Sequence, residues 1–86
     1  MSAVLSAEAE TLNWVPLRSS NVAAVAYSDD FARLYVRFKS GHRYAYERVP
    51  KAIFEAFKYA PSAGQFLWAV VRAKGSDSVY AYSGPF

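Results

Sequence analysis

Polar and apolar residues alternate from Ala32 to Lys39, with Ala32, Leu34, Val36 and Phe38 on one side and Arg33, Tyr35, Arg37 and Lys39 on the other. A period of two over eight residues predicts a strand with one buried and one solvated face. Upstream, Val22 to Tyr27 is a short apolar run of Val, Ala and Tyr, bounded by Ser19-Ser20-Asn21 and Ser28-Asp29-Asp30. Ser, Asn and Asp side chains bond nearby backbone groups, so these boundaries read as turns around a first strand. Downstream, Tyr44-Ala45-Tyr46 reads as a third strand.

The turn before that strand decides which face looks inward. A two-residue loop at Ser40-Gly41 would pair Phe38 with Arg43 and bury an arginine. A three-residue loop, Lys39-Ser40-Gly41 with Gly41 left-handed, pairs Phe38 with His42 instead. Val36 then faces Tyr44 and Leu34 faces Tyr46. A slip of one residue would send every side chain to the wrong side, so the apolar pattern selects the second register. Tyr44 and Tyr46 fall on the core side. Arg37 opposes Arg43 on the outer face, with Tyr35 opposite Ala45 and Arg33 opposite Glu47.

Val49-Pro50 ends the third strand and opens a helix, since Pro is tolerated at the first helical position. Ile53, Phe54, Phe57 and Ala60 give its apolar stripe, and Pro61 stops it. Ser62 and Gln65 have capping-box spacing for a second helix reaching about Arg72. Its stripe is Phe66, Leu67, Val70 and Val71, leaving Gln65, Trp68 and Arg72 on another side. Gly75-Ser76-Asp77-Ser78 reads as a turn, and Val79 to Tyr82 has the composition of a short fourth strand. The expected fold is α+β: a three-stranded antiparallel β-meander packed against a C-terminal helical hairpin, with that short strand at the C-terminal end.

Residues 1–13 carry Glu8 and Glu10, no base, and no continuous apolar stripe. They are expected to form a flexible acidic N-terminal arm ahead of a single domain at 14–86. Residues 14–75 hold all ten Lys and Arg against Asp29, Asp30, Glu47 and Glu55, a net of +6. A basic body points to an anionic partner. The chain has no cysteine, which removes disulfides and thiolate chemistry. The apolar stretches are too short to span a membrane, and no secretory signal is visible, so the expected location is cytoplasmic.

Taken in order, Ser19-Ser20-Asn21-Val22, Ala24-Val25-Ala26-Tyr27, Leu34-Tyr35-Val36-Arg37-Phe38, Gly41, Tyr44-Ala45-Tyr46, Val49-Pro50 and Ala60-Pro61-Ser62-Ala63-Gly64-Gln65-Phe66 resemble the KTSC domain. The resemblance covers roughly residues 14–73. The family takes its name from the C-terminal extension of some lysyl-tRNA synthetases and also occurs as small bacterial and phage proteins. It implies the α+β fold and an RNA context, and it carries no catalytic residues. Trp68 departs from the family, which often has a polar residue there.

Enzyme chemistry has little support. Acyl transfer needs a nucleophile, a base and an orienting group, and His42 stands alone at the mouth of a hairpin. Asp29-Asp30 could in principle ligate Mg²⁺ but reads first as a turn. No metal or cofactor is expected. The leading expectation is a non-enzymatic domain that binds RNA or another nucleic acid weakly and salt-sensitively. Arg33, Arg37, Lys39 and Arg43 would meet phosphates on the outer sheet face, and Tyr35 would stack on a base. The alternative is a protein-binding adaptor or small phage or host regulator, using Trp68, Arg72 and Gln65 as interface anchors, with Trp14 also available. A monomer or a weak homodimer is expected.

Overall fold

The computed structural model describes residues 2–71 and 80–86. Five antiparallel strands lie side by side in chain order: β1 (Val15–Pro16), β2 (Val22–Ser28), β3 (Arg33–Phe38), β4 (Arg43–Tyr46) and β5 (Tyr82–Ser83). Among the described residues three helices complete the α+β fold: α1 (Ser2–Thr11), α2 (Lys51–Tyr59) and α3 (Ala63–Phe66), which runs on into a π-helical turn at Leu67–Val71.

The β3–β4 register pairs Leu34 with Tyr46, Tyr35 with Ala45, Val36 with Tyr44 and Arg37 with Arg43. The turn chemistry explains it. Gly41 sits at φ +97°, its N–H donates to Phe38 O at 2.9 Å, and Phe38 N–H donates to His42 O at 2.9 Å. An L side chain at Gly41 would be strained there. At the far end of β3, Ala32 lies outside the strand with φ 51°, and its carbonyl accepts from Val49 N–H. The alternation begins at Ala32, but the ladder begins at Arg33.

One face of the sheet carries Val22, Val25, Leu34, Val36 and Tyr46 against Phe54, Phe57, Ala63, Leu67 and Val71. This is the main core. Ser62 Oγ accepts from Gln65 N–H at 3.3 Å and starts α3. Leu67 and Val71 point inward while Gln65 and Trp68 are exposed. The C-terminal strand is Tyr82–Ser83, displaced from the expected span. Arg72, the turn at Gly75–Ser78 and Val79 lie outside the described residues.

The opposite face corrects two expectations. Residues 2–11 are a helix laid on the sheet, where a flexible acidic arm was expected. Leu5 and Ala9 are buried against Ala26, Tyr35 and Ala45, with Leu12, Trp14 and Phe86 packed around them. Leu5, Ala9 and Leu12 recur at i, i+4 and i+7, a stripe narrow enough to be mistaken for none because its middle residue is alanine. The outer face, expected to be solvated, is consequently covered over its central positions.

Candidate nucleic-acid interface

The five residues expected to bind nucleic acid fall into two groups. Arg33 and Tyr35 are taken up by contacts inside the protein. Tyr35 is fully buried, and Arg33 keeps only 16% of its side-chain surface. Tyr35 Oη donates to Glu8 Oε1. Arg33 Nη1 donates to the same oxygen at 2.7 Å, and its Nε reaches Glu47 at 2.9 Å. Ser28 Oγ donates to the other Glu8 oxygen at 2.7 Å. The physical reason is coverage by α1, which brings Glu8 over the end of the sheet and removes Tyr35 from any stacking partner.

This network moves proton affinities in opposite directions. Burial pushes the Glu8 carboxyl up, but hydrogen bonds from Tyr35, Ser28 and Arg33 outweigh it and leave Glu8 below its ordinary value. Burial pushes the Tyr35 phenol up to about 12, helped by the bond to Glu8. Burial opposes the Arg33 charge, but hydrogen bonds to Tyr35, Glu47 and Glu8 raise its affinity for the proton further. Arg33 stays charged throughout.

Arg37, Lys39 and Arg43 form the second group, at the end of the sheet where the β3–β4 turn lies. Arg37 and Arg43 face each other across the strands. The Arg37 guanidinium stands 5.4 Å from the Trp14 ring centre, and that of Arg43 stands 4.8 Å from the Phe86 ring. Arg43 also donates to Ser6 Oγ at 3.4 Å. Ring faces hold cations without neutralising them. Neither arginine has a carboxylate within 4 Å among the described residues. Lys39 and Arg37 are exposed and Arg43 is half-buried.

The carboxylates gather at the other end of the strands. Glu8 and Glu47 hold Arg33, Asp29 pairs with Lys51 at 3.0 Å, and Glu55 pairs with Lys58 at 2.8 Å. Glu10 is exposed on α1 and makes no ion pair among the described residues. The sheet is thus polarised along its strands. Among the described residues no group of three His, Cys, Asp or Glu could hold a metal, and Asp29 is engaged by Lys51. No helix among them is long and apolar enough to cross a membrane.

Of the residues expected at a protein interface, Gln65 and Trp68 come together along a groove of about 980 Å³, facing Arg18, Ser19, Ser20 and Asn21. Trp68 is 44% exposed. Gly64 sits tightly against this wall, since a Cβ there would lie 3.1 Å from Asn21 Oδ1. Sequence reasoning missed Glu8, Ser28 and Phe86. Glu8 alone left a signal, as an acidic residue beside the Leu5–Ala9–Leu12 stripe.

No match is found among curated proteins. Among solved structures, the crystal structure of a KTSC domain protein from Yersinia pestis is similar, with a TM-score of 0.73 and 25% identity. The similarity covers 85% of this chain and 96% of that one. The KTSC domain family model matches residues 18–74, from Arg18 in front of β2 to beyond the π-helical turn that follows α3. That span contains β2, β3, β4, α2 and α3, and so the chain belongs to the KTSC domain family.

Proposed function

We propose that this KTSC domain is a non-enzymatic, cytoplasmic binding module that holds nucleic acid weakly through the basic end of its sheet. The interface is smaller than the sequence alone suggested: Arg37, Lys39 and Arg43 carry it, and Arg33 and Tyr35 do not take part. The observation behind this reading is the directly opposed Arg37–Arg43 pair, which has no carboxylate partner among the described residues. Like charges in that position cost a few tenths of a kcal/mol, roughly, and a phosphate placed between them relieves the repulsion. The rings under the two arginines, Trp14 and Phe86, pack edge-on against Tyr35, so the contact follows the backbone and has little sequence preference.

Three phosphate contacts to a single strand give a log–log salt slope near −2, which corresponds to roughly a twentyfold loss of affinity between 50 and 200 mM salt. Titration of a labelled single-stranded RNA across that range tests the proposal. The expected result is binding that weakens with salt and disappears in Arg37→Glu/Arg43→Glu, while a thermal melt shows that variant folded. An absence of binding at low salt, or binding untouched by the double substitution, contradicts it.

A second reading is favoured by the groove beside Trp68: a protein adaptor that takes a peptide against Gln65, Trp68 and Arg18. Exposed Trp in a concave wall is a common interface anchor. A nuclease-resistant partner lost on Trp68→Ala and retained by Arg37→Glu would favour this reading over the first.

A further inference from the structure

Three donors on the α1 side of the sheet converge on one carboxylate. Ser28 Oγ and Arg33 Nη1 each stand 2.7 Å from an oxygen of Glu8, and Tyr35 Oη completes the set. All three belong to β2 and β3, so the carboxylate-holding site is part of the sheet, and the helix only supplies its occupant. Ser28 is 3% exposed and Tyr35 is fully buried. Glu47 holds Arg33 from its other side, which fixes the guanidinium in place. Beside the donors, Ala26 and Ala45 leave a shallow apolar floor, and Leu5 and Ala9 rest on it. The family match begins at residue 18, so the donors and the floor lie inside the matched span while α1 lies outside it.

We propose that this face is a docking site for an acidic peptide helix from a partner protein, and that α1 is the ligand resident in it. The donors require a glutamate at the central position, as Glu8. The floor requires a small residue directly after it, as Ala9. Aliphatic residues three before and four after, as Leu5 and Leu12, close the two sides. A helix with that pattern is read by charge and by shape together, because an apolar central residue would leave Tyr35 Oη, Ser28 Oγ and Arg33 Nη1 without this acceptor, Arg33 keeping Glu47 as its carboxylate. Since α1 is tethered through Leu12-Asn13-Trp14, a partner helix must compete against a high local concentration of the resident one.

The test uses the full chain carrying Leu5→Asp/Ala9→Asp, which spoils the resident helix and leaves every donor intact. A fluorescent peptide with the sequence of residues 1–13 is titrated in and followed by anisotropy, with near-ultraviolet circular dichroism reporting the fold. The substituted chain is expected to bind the peptide, and the wild-type chain at least about tenfold more weakly because α1 competes. A peptide carrying Glu8→Gln is expected to bind the substituted chain at least about tenfold more weakly than the unmodified one. A folded variant that binds no peptide overturns the proposal, as does one that binds both peptides equally. Loss of the fold in the variant also overturns it, because a resident ligand can leave without unfolding the body.

Discussion

The face turned to α2 and α3 and the face turned to α1 are closed by different means. On the first, Val22, Val25, Leu34 and Val36 meet Phe54, Phe57, Leu67 and Val71, a broad apolar contact between large side chains. On the second, the buried residues are Leu5, Ala9, Ala26, Tyr35 and Ala45, three of them alanines, and the seal is finished by Glu8, Ser28 and Arg33. Apolar burial is roughly proportional to area and tolerates small adjustments. A buried ionic network depends on every partner being present, and removing one leaves the others desolvated. The first face is therefore expected to supply most of the apolar stabilisation, and the second depends on its full set of polar partners.

The largest effect expected from breaking this contrast is on the first face. Phe57 is fully buried, and Phe57→Ala should cost about 3–5 kcal/mol, read as a lower midpoint in urea unfolding with both faces lost together. On the second face, Tyr35→Phe removes one donor from Glu8 without opening a cavity, and should cost about 1.5–3 kcal/mol. Because Glu8→Gln damages the same bonds, the double substitution should cost less than the two single losses added. A double-mutant cycle should yield a coupling of roughly 0.5–3 kcal/mol. Additive losses would mean that Glu8 and Tyr35 do not act together.

The smallest effect is on pH dependence. Glu8 has a folded-state pKa below its ordinary value of 4.5. Its contribution is therefore present above about pH 4.5 and is lost as pH falls through the lowered value. Trp14 donates its ring N–H to Ala9 O at 2.8 Å and packs edge-on against Tyr35. Its fluorescence should report α1 leaving in acid before the main core melts, and Glu8→Gln should remove that early step. A single acid transition in both proteins would place α1 and the core in one cooperative unit.

The sequence exposes the first face well and the second poorly, for identifiable reasons. Period-two alternation in β3, together with Gly41, leaves one register in which no arginine is buried, and that register is the one found. Ser62 announced α3 because a hydroxyl three residues before Gln65 satisfies a free N–H. The second face hides behind small residues. Ala9, Ala26 and Ala45 are apolar enough to be buried yet carry little weight in an alternation pattern. The better clue was β2, apolar on both sides from Val22 to Tyr27, which fits a strand covered on two faces. Tyr35, polar at its tip, reads from the alternation as a stacking ring on the outer face, and it is buried because α1 covers it and supplies an acceptor. The cations of the candidate interface were legible one by one. Their separation from the carboxylates of the described residues was not, because it depends on where the helices put Glu8 and Glu55.

Native-state amide hydrogen exchange tests the division between the two faces most directly. Amides of α1 around Leu5 to Thr11 should exchange through an opening of lower free energy than those of Leu34 to Val36 in β3, and Glu8→Gln should lower the first set while leaving the second unchanged. Equal exchange free energies in α1 and β3, falling together in Glu8→Gln, would contradict the account and make α1 an inseparable part of the core.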